Sequence, residues 1–211
     1  MATDNLRAAG TNDELRRDQL DVIETEVTRL NRLFQNIVDM ARIETGAIDA
    51  EREWVHPAEI VDAAIQQVQH ALESHALELD VDTPGSVQVD PRLTSAALAH
   101  LLENAGQYAP AGTLITITAR ADETELTLSV RDRGPGIAPQ DVQHLFEQFF
   151  RGAGAQHRSF GTGMGLAITR GLLAAEGGRV WAENHPDGGA CFTVNIPTPI
   201  RQEDHTEEEP S

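Results

Sequence analysis

Residues 12–44 contain neither proline nor glycine, and they carry apolar side chains at Leu20, Ile23, Val27, Leu30, Phe34, Ile37 and Ala41. That unbroken alternation of three and four predicts one long helix with the seam of a coiled coil or helical bundle. Leu33, Val38 and Ile43 widen the stripe towards a bundle, and Gly46 marks a stop. Such a stripe fits either a helix packed on its own domain or a dimerisation helix. The absence of a second long helix to cover it favours the latter. Pro57 opens an amphipathic helix through residue 72, with Ile60, Ala64, Ile65, Val68 and Leu72 on its apolar side. Short strands follow at 77–81 and 87–89. Asp90 and Pro91 form a cap and a first-turn proline that start a helix reaching Tyr108. Residues 113–121 and 125–130 alternate cleanly around Asp122, Glu123 and Thr124 and predict a hairpin. A short helix near 140–145, a glycine-rich segment 152–165, a helix over 164–175 and a last hairpin (179–183 with 190–196) complete the pattern. Past residue 197 the chain holds five acids and no apolar pattern after Ile200, which predicts a disordered tail.

Composition narrows the function. The 211 residues are 40% hydrophobic, enough for a packed core. A net charge of -18 and a pI near 4.7 argue against nucleic acid or an anionic membrane as a direct partner. All 16 basic residues are arginine, so a phosphate loop that relies on lysine is excluded. The single cysteine, Cys191, rules out an internal disulfide. No apolar run approaches the roughly 18 residues of a membrane span, and the first residues do not read as a signal peptide. The expected compartment is the cytoplasm, with no direct membrane insertion.

Three segments carry candidate chemistry. Along 125–132, the two-residue period puts Asp132 on the same face as Leu126, Leu128 and Val130, so a carboxylate enters the core and needs a donor. Gly134 and Gly136 then allow a ring to approach the backbone, and a purine amino group would satisfy Asp132; an ordinary β-turn behind an aspartate is the bland alternative. On the helix before it, His100, Asn104, Gln107, Tyr108 and Ala111 fall along one stripe, with Leu98, Leu101, Leu102 and Ala105 towards the core. Asn104 is a surface amide or a Mg²⁺ ligand, and spacing alone leaves both open. Gly161, Thr162, Gly163, Met164 and Gly165 open a helix, where backbone N–H groups receive phosphate. No strand directly precedes them, which tells against a dinucleotide-binding turn.

Residues 101–110 (LLENAGQYAP), 132–139 (DRGPGIAP), 145–152 (LFEQFFRG) and 161–168 (GTGMGLAI), in that order, resemble the asparagine, first glycine, phenylalanine and second glycine boxes of sensor histidine kinases. These belong to the GHKL superfamily, and the closing segment 188–192 also fits. Upstream, 39–46 followed by Glu53 and Trp54 is similar to the second helix of the dimerisation hairpin, and the wording most resembles potassium-sensing kinases of the Kdp type. The resemblance implies an α+β fold: the Bergerat two-layer sandwich, a mixed sheet covered by helices on one face, behind a long dimerisation-type helix. It divides the chain into a partial dimerisation segment (1–50), an ATP-binding catalytic domain (51–198) and an acidic tail (199–211). It implies ATP and Mg²⁺ as cofactors, with Asp132 on the adenine amino group, Asn104 on Mg²⁺, Tyr108 against the base and Arg151 reaching towards phosphates. Gly161, Gly163 and Gly165 would cradle those phosphates. Gln107, Gly134, Gly136, Ile137, Thr162, Met164 and Leu166 would complete the site, and Phe146, Phe149 and Phe150 would latch a lid over it. The implied partners are a response-regulator receiver domain and a second copy of the chain through residues 12–45. The implied location is the cytoplasmic part of a membrane-bound sensor.

Gln107 and Gln148 stand where basic residues are frequent in the family, which predicts weaker or more Mg²⁺-dependent binding; Cys191 stands where threonine is common. None of the eight histidines lies in the acceptor context, an acidic residue next and a proline four or five positions on. The chain is thus expected to bind ATP without phosphorylating itself on histidine, the acceptor lying on a longer or partner chain. The superfamily's ATPases and serine kinases place a glutamate four residues before the Mg²⁺ asparagine. Here that position is His100, and Glu103 is turned about 100° away. A non-enzymatic, nucleotide-gated interaction module is the third reading.

Overall fold

The computed structural model describes residues 13–152 and 162–202. Helix α1 (Asp13–Glu44) ends where the sequence stops it. Gly46 takes a φ of 63°, the Gly46 N–H donates to the Ile43 carbonyl (3.1 Å), and the Ala47 N–H donates to the Arg42 carbonyl (2.9 Å). These are the paired bonds of a Schellman ending. Strand β1 (Glu53–Val55) follows, then α2 (Pro57–Gln67) and a single turn, α3 (Gln69–Leu72). The sequence pattern had joined α2 and α3; the break falls at Val68 (φ -122°, ψ 21°), without a proline or glycine to announce it. His56 caps α2 by accepting the Ala58 N–H on Nδ1.

Strands β2 (Ala76–Asp82) and β3 (Gly85–Val89) are adjacent in sequence but enter different sheets. Helix α4 (Pro91–Tyr108) starts as expected, with Asp90 accepting the Arg92 and Leu93 N–H groups. Then come β4 (Leu114–Ala121), β5 (Glu125–Arg131), a 3-10 turn at Val142–His144 where a short helix was expected, α5 (Gly165–Ala175), β6 (Arg179–Asn184), β7 (Ala190–Pro197) and β8 (Ile200–Gln202). Strand β8 corrects the expected disorder beyond residue 197: Val87 pairs with Ile200 and Gly85 with Gln202. The rest of the predicted tail lies outside the described residues.

The main sheet has the order β2-β4-β5-β7-β6, with β2 and β4 parallel and the other pairs antiparallel; a smaller antiparallel sheet, β1-β3-β8, adjoins it. One face of the main sheet carries Ile115, Ile117, Leu126, Leu128, Val130, Phe192, Val194 and Ile196. These pack with Ile60, Leu98, Leu101, Leu102, Ile168 and Leu173 from the helices. The result is the α+β two-layer arrangement that the sequence implied. The opposite face is polar and carries, in one cross-strand row, Asp80, Thr118, Ser129 and Thr193. No helix among the described residues is long and apolar enough to cross a membrane.

Helix α1 shows two faces. Leu33, Met40 and Ile43 pack on the core, and a side chain at Gly171 of α5 would stand 2.5 Å from an Ile43 methyl. Leu20, Val27, Leu30, Phe34 and Ile37 are exposed. The heptad seam read from the sequence is therefore the face that its own domain leaves uncovered.

Candidate nucleotide site

Strand β5 delivers Asp132 to the core as its alternation requires. Leu126, Leu128 and Val130 are fully buried, and Asp132, one step past the strand, is 3% exposed. Its Oδ1 accepts the Gly134 N–H (2.7 Å) and the Ala190 N–H (3.2 Å), while its own N–H donates to the Ala190 carbonyl (2.9 Å). The carboxylate is thus oriented by backbone from both sides. Both side-chain bonds fall on Oδ1, and among the described residues none reaches Oδ2. That oxygen is not among the buried atoms left without a partner, so it borders accessible space where it can accept from a donor, and an exocyclic amino group is one.

Helix α4 sets the length of the site. At its C-terminal end the Tyr108 carbonyl lies 3.1 Å from where a Cβ on Gly134 would stand; two turns earlier the His100 ring lies 3.6 Å from the corresponding point on Gly165. The aspartate turn therefore abuts one end of the His100–Tyr108 stripe and the start of α5 abuts the other, separated by roughly 12 Å of helix. Asn104 lies between them, half-buried, with no side-chain hydrogen bond among the described residues. The core side of the helix is as expected: Leu98, Leu101, Leu102 and Ala105 are inaccessible. Gln107 is half-buried on the stripe side.

At the second end, Gly163 (φ 71°) leaves no room for a side chain: a Cβ there would lie 2.8 Å from the Phe149 carbonyl carbon and the Phe150 carbonyl oxygen. Phe149 is itself left-handed (φ 61°), the one non-glycine residue so placed among those described, and its ring is 66% exposed. The three phenylalanines expected to latch together diverge. Phe146 packs on the core, Phe150 stacks against His144 at 5.8 Å, and Phe149 faces solvent. Met164 caps α5 without a side-chain bond, although the Thr162 hydroxyl accepts the Met164 N–H (3.3 Å). The start of α5 therefore keeps backbone donors for an anion. Leu166, in its first turn, packs against the core. Arg151 is exposed at the edge of the described region, and Gly161 lies outside it.

Two contacts reach this end from α1, and sequence spacing did not reveal them. Asn36, 4% exposed, donates from Nδ2 to the Thr162 hydroxyl at 3.4 Å. Gln148 donates from Nε2 to Met40 Sδ (3.2 Å) and Glu44 Oε1 (3.1 Å). Gln148 thus turns towards α1. Cys191 likewise faces away from Asp132: its β7 position aligns with Arg131 and Glu183 on the polar face of the sheet, where it is half-buried. Burial pushes its thiol pKa up, consistent with an unreactive strand cysteine. Asn184, at the end of β6, was not singled out by any sequence signal. Its Oδ1 accepts the Ile137 N–H (2.6 Å) and its Nδ2 donates to the Ile137 carbonyl (2.8 Å).

The family described as histidine kinase-, DNA gyrase B- and HSP90-like ATPase matches residues 89–200, from the end of β3 to the start of β8. The chain belongs to that family. Its relatives are sensor histidine kinases. It is 38% identical over 180 residues to the sensor protein KdpD of Escherichia coli, covering 85% of this chain and 20% of KdpD. It is 32% identical over 215 residues to the sensor-like histidine kinase SenX3 of Mycobacterium tuberculosis, covering 100% of this chain and 52% of SenX3. Among solved structures, full-length ShkA in complex with AMPPNP superposes with a TM-score of 0.69 at 26% identity, covering 90% of this chain and 38% of that one. The chain thus spans about half, or less, of the length of the curated relatives it matches. Within the family's matched span lie Asn104, Asp132 and the second glycine segment. Among the described residues no group of three or more His, Cys, Asp or Glu could hold a metal ion.

Proposed function

We propose that this chain is the ATP-binding catalytic part of a two-component sensor histidine kinase. It binds Mg-ATP and delivers the γ-phosphoryl group to a ring nitrogen of a histidine on a longer or partner chain, leaving ADP, for relay to an aspartate of a response-regulator receiver domain. The observation that carries this reading is Asp132, buried at the end of β5 with one oxygen fixed by two backbone N–H groups and the other open. In this reading Asp132 takes the adenine amino group and Tyr108 lies beside the base. Gln107, Gly134, Gly136 and Ile137 border it, Phe149 stands at the phosphate end, and Asn104 offers its amide oxygen to Mg²⁺. The start of α5, with Gly161, Thr162, Gly163, Met164, Gly165 and Leu166, receives the phosphates, and Arg151 adds a positive charge near them. Mg²⁺, when bound, neutralises phosphate charge. The chain's own residues hold the base, align the triphosphate and exclude water, so catalysis rests on positioning and charge. The exposed Leu20–Ile37 stripe of α1 fits a homodimer through residues 12–45. The location is then the cytoplasmic part of a membrane-bound sensor.

A serine-kinase or ATPase reading is disfavoured by His100, which stands where those branches carry a glutamate base. The contact of α1 with Thr162 favours a second reading, a nucleotide-gated interaction module in which ATP only orders the loop against the helix. Labelled ATP separates the readings. Incubated alone, the chain should acquire no acid-labile label; mixed with a longer chain carrying an acceptor histidine, it should transfer label to that chain. Absence of transfer despite ATP binding would leave the interaction module. Asn104→Ala should abolish the strengthening of ATP binding by Mg²⁺, an expected loss of about tenfold in affinity, while Mg²⁺-free binding stays near wild type.

A further inference from the structure

Both ends of the turn 132–137 are tied to one β-hairpin. Asp132 is held through Ala190 of β7, which receives its N–H and gives one to its carboxylate. Five residues on, Ile137 is held through Asn184 of β6, by its N–H and its carbonyl alike. Asn184 and Ala190 are register partners across β6 and β7, so the two anchors share one rigid pair of strands. Between them Gly136 adopts a φ of 75°, and a Cβ there would fall 2.7 Å from Asn184 Oδ1. The amide therefore occupies the space that any larger residue would need. A side-chain amide that bonds both the N–H and the carbonyl of one residue, as a neighbouring strand would, ties down the peptide groups on either side of it and leaves both little freedom to rotate. Ile137 in turn packs on the core, so the clamp closes a path from β6 through the turn and back to the sheet.

The geometry points to Asn184 as a positioning residue for base recognition. By holding Ile137, it sets the height and tilt of the Gly134–Gly136 backbone relative to the Asp132 carboxylate, and so the discrimination between a purine with a 6-amino group and one with a 6-oxo group. This rests on the nucleotide reading above. Asn184 touches no ligand in this account; it acts through the turn. Its effect belongs to the base and not to the phosphates, which this reading puts at the His100 end of the stripe, roughly 12 Å away.

The test compares ATP, GTP and inorganic tripolyphosphate by calorimetry on wild type, Asn184→Ala and Gly136→Ala, with thermal unfolding of each. Asn184→Ala should weaken ATP about five- to tenfold, the scale of two partly exposed hydrogen bonds, and narrow the ATP-to-GTP ratio by a similar factor. Tripolyphosphate should bind as in wild type. Gly136→Ala, which crowds the same clamp from the other side, should narrow the ratio likewise, so the proposal survives if one variant folds poorly. Equal weakening of ATP and tripolyphosphate would overturn it, because a general loss of structure would do that. An unchanged ATP-to-GTP ratio in both variants would overturn it too. Failure of the wild type to bind ATP at all is a different result, since it would remove the nucleotide reading itself and this inference with it.

Discussion

The two ends of the site are built differently. The aspartate end is an extension of the sheet: Asp132 follows β5 without a break, bonds to the first residue of β7, and sits among side chains of zero exposure. The glycine end is assembled from loops. Its shape depends on a left-handed, exposed Phe149, on a glycine pressed against the Phe149 and Phe150 backbone, and on a long helix that touches Thr162 through one buried amide. The first kind of site is rigid because the core is rigid. The second holds its shape only while its neighbours stay in place. In the proposed reading, recognition of the base and placement of its phosphates fall to regions of different stiffness, and among the described residues only the second is in contact with α1.

Asp132→Asn gives the sharpest break in this contrast. Asparagine keeps an acceptor for the two N–H groups but presents a donor where the adenine amino group needs an acceptor. ATP affinity should fall on the order of a hundredfold, while thermal unfolding moves little. Calorimetry and a melting curve on the same preparation check both halves, and a large drop in stability would contradict the view that Oδ1 alone serves the fold.

Asn36→Ala probes the other end. It should change ATP affinity by less than about threefold. It should also speed amide hydrogen exchange over residues 162–165 and leave residues 126–132 as slow as in wild type. Exchange rising at both ends would mean that the two regions are not separable.

The smallest expected effect concerns the anchorage of the linker between α1 and β1. Glu51 donates its N–H to Asp90 (2.9 Å), Arg52 donates to the Glu176 carbonyl, and the Glu176 carboxylate accepts the Asp90 N–H and the Thr94 hydroxyl (2.7 Å). Burial pushes the Glu176 pKa up, against the pull of those donors and with the Asp90 charge adding to the rise. Burial also raises Asp90, but its bonds from Arg92, Glu51 and Leu93 outweigh it and leave that carboxyl below the usual range. The signs are opposite. A raised folded pKa means that the folded state binds more protons, so the Glu176 contribution is full below the unfolded carboxylate range and is lost as pH rises through its folded value. The Asp90 contribution is present above that range and is lost as pH falls. Glu176→Gln should therefore flatten the decline in melting temperature on the alkaline side of the usual glutamate range and leave the acid limb intact. A series of melting curves from acid to neutral pH reads this directly, and an unchanged alkaline slope would show that Glu176 does not titrate differently on folding.

What the sequence could disclose follows the same division. The alternation through Val130 foretold where Asp132 points, the Asp90–Pro91 pair foretold the start of α4, and Gly46 foretold the end of α1, because each is a local pattern with one physical solution. Strands β1 and β8 are three residues each and carry no period; only pairing with β3 makes them strands. The same holds for Gln148, whose partners lie 108 and 104 residues away, and for Asn36, 126 residues from Thr162. Spacing reveals faces. It does not reveal which distant face will meet them, and Asn184 escaped notice for the same reason.

One consequence lies in how the chain closes on itself around the pocket. Asp132 and Ala190 are joined by hydrogen bonds yet stand 58 residues apart. The glycine segment, α5 and β6 are all carried in the connection between them. The entropy of closing such a connection grows only with the logarithm of its length, about 0.6 kcal/mol for each doubling. Lengthening that connection by a few residues would alter folding stability by a small fraction of that, while the anchors at both ends stay where the sheet puts them. The two ends of the pocket are thus joined through the fold at an entropic cost that chain length barely changes.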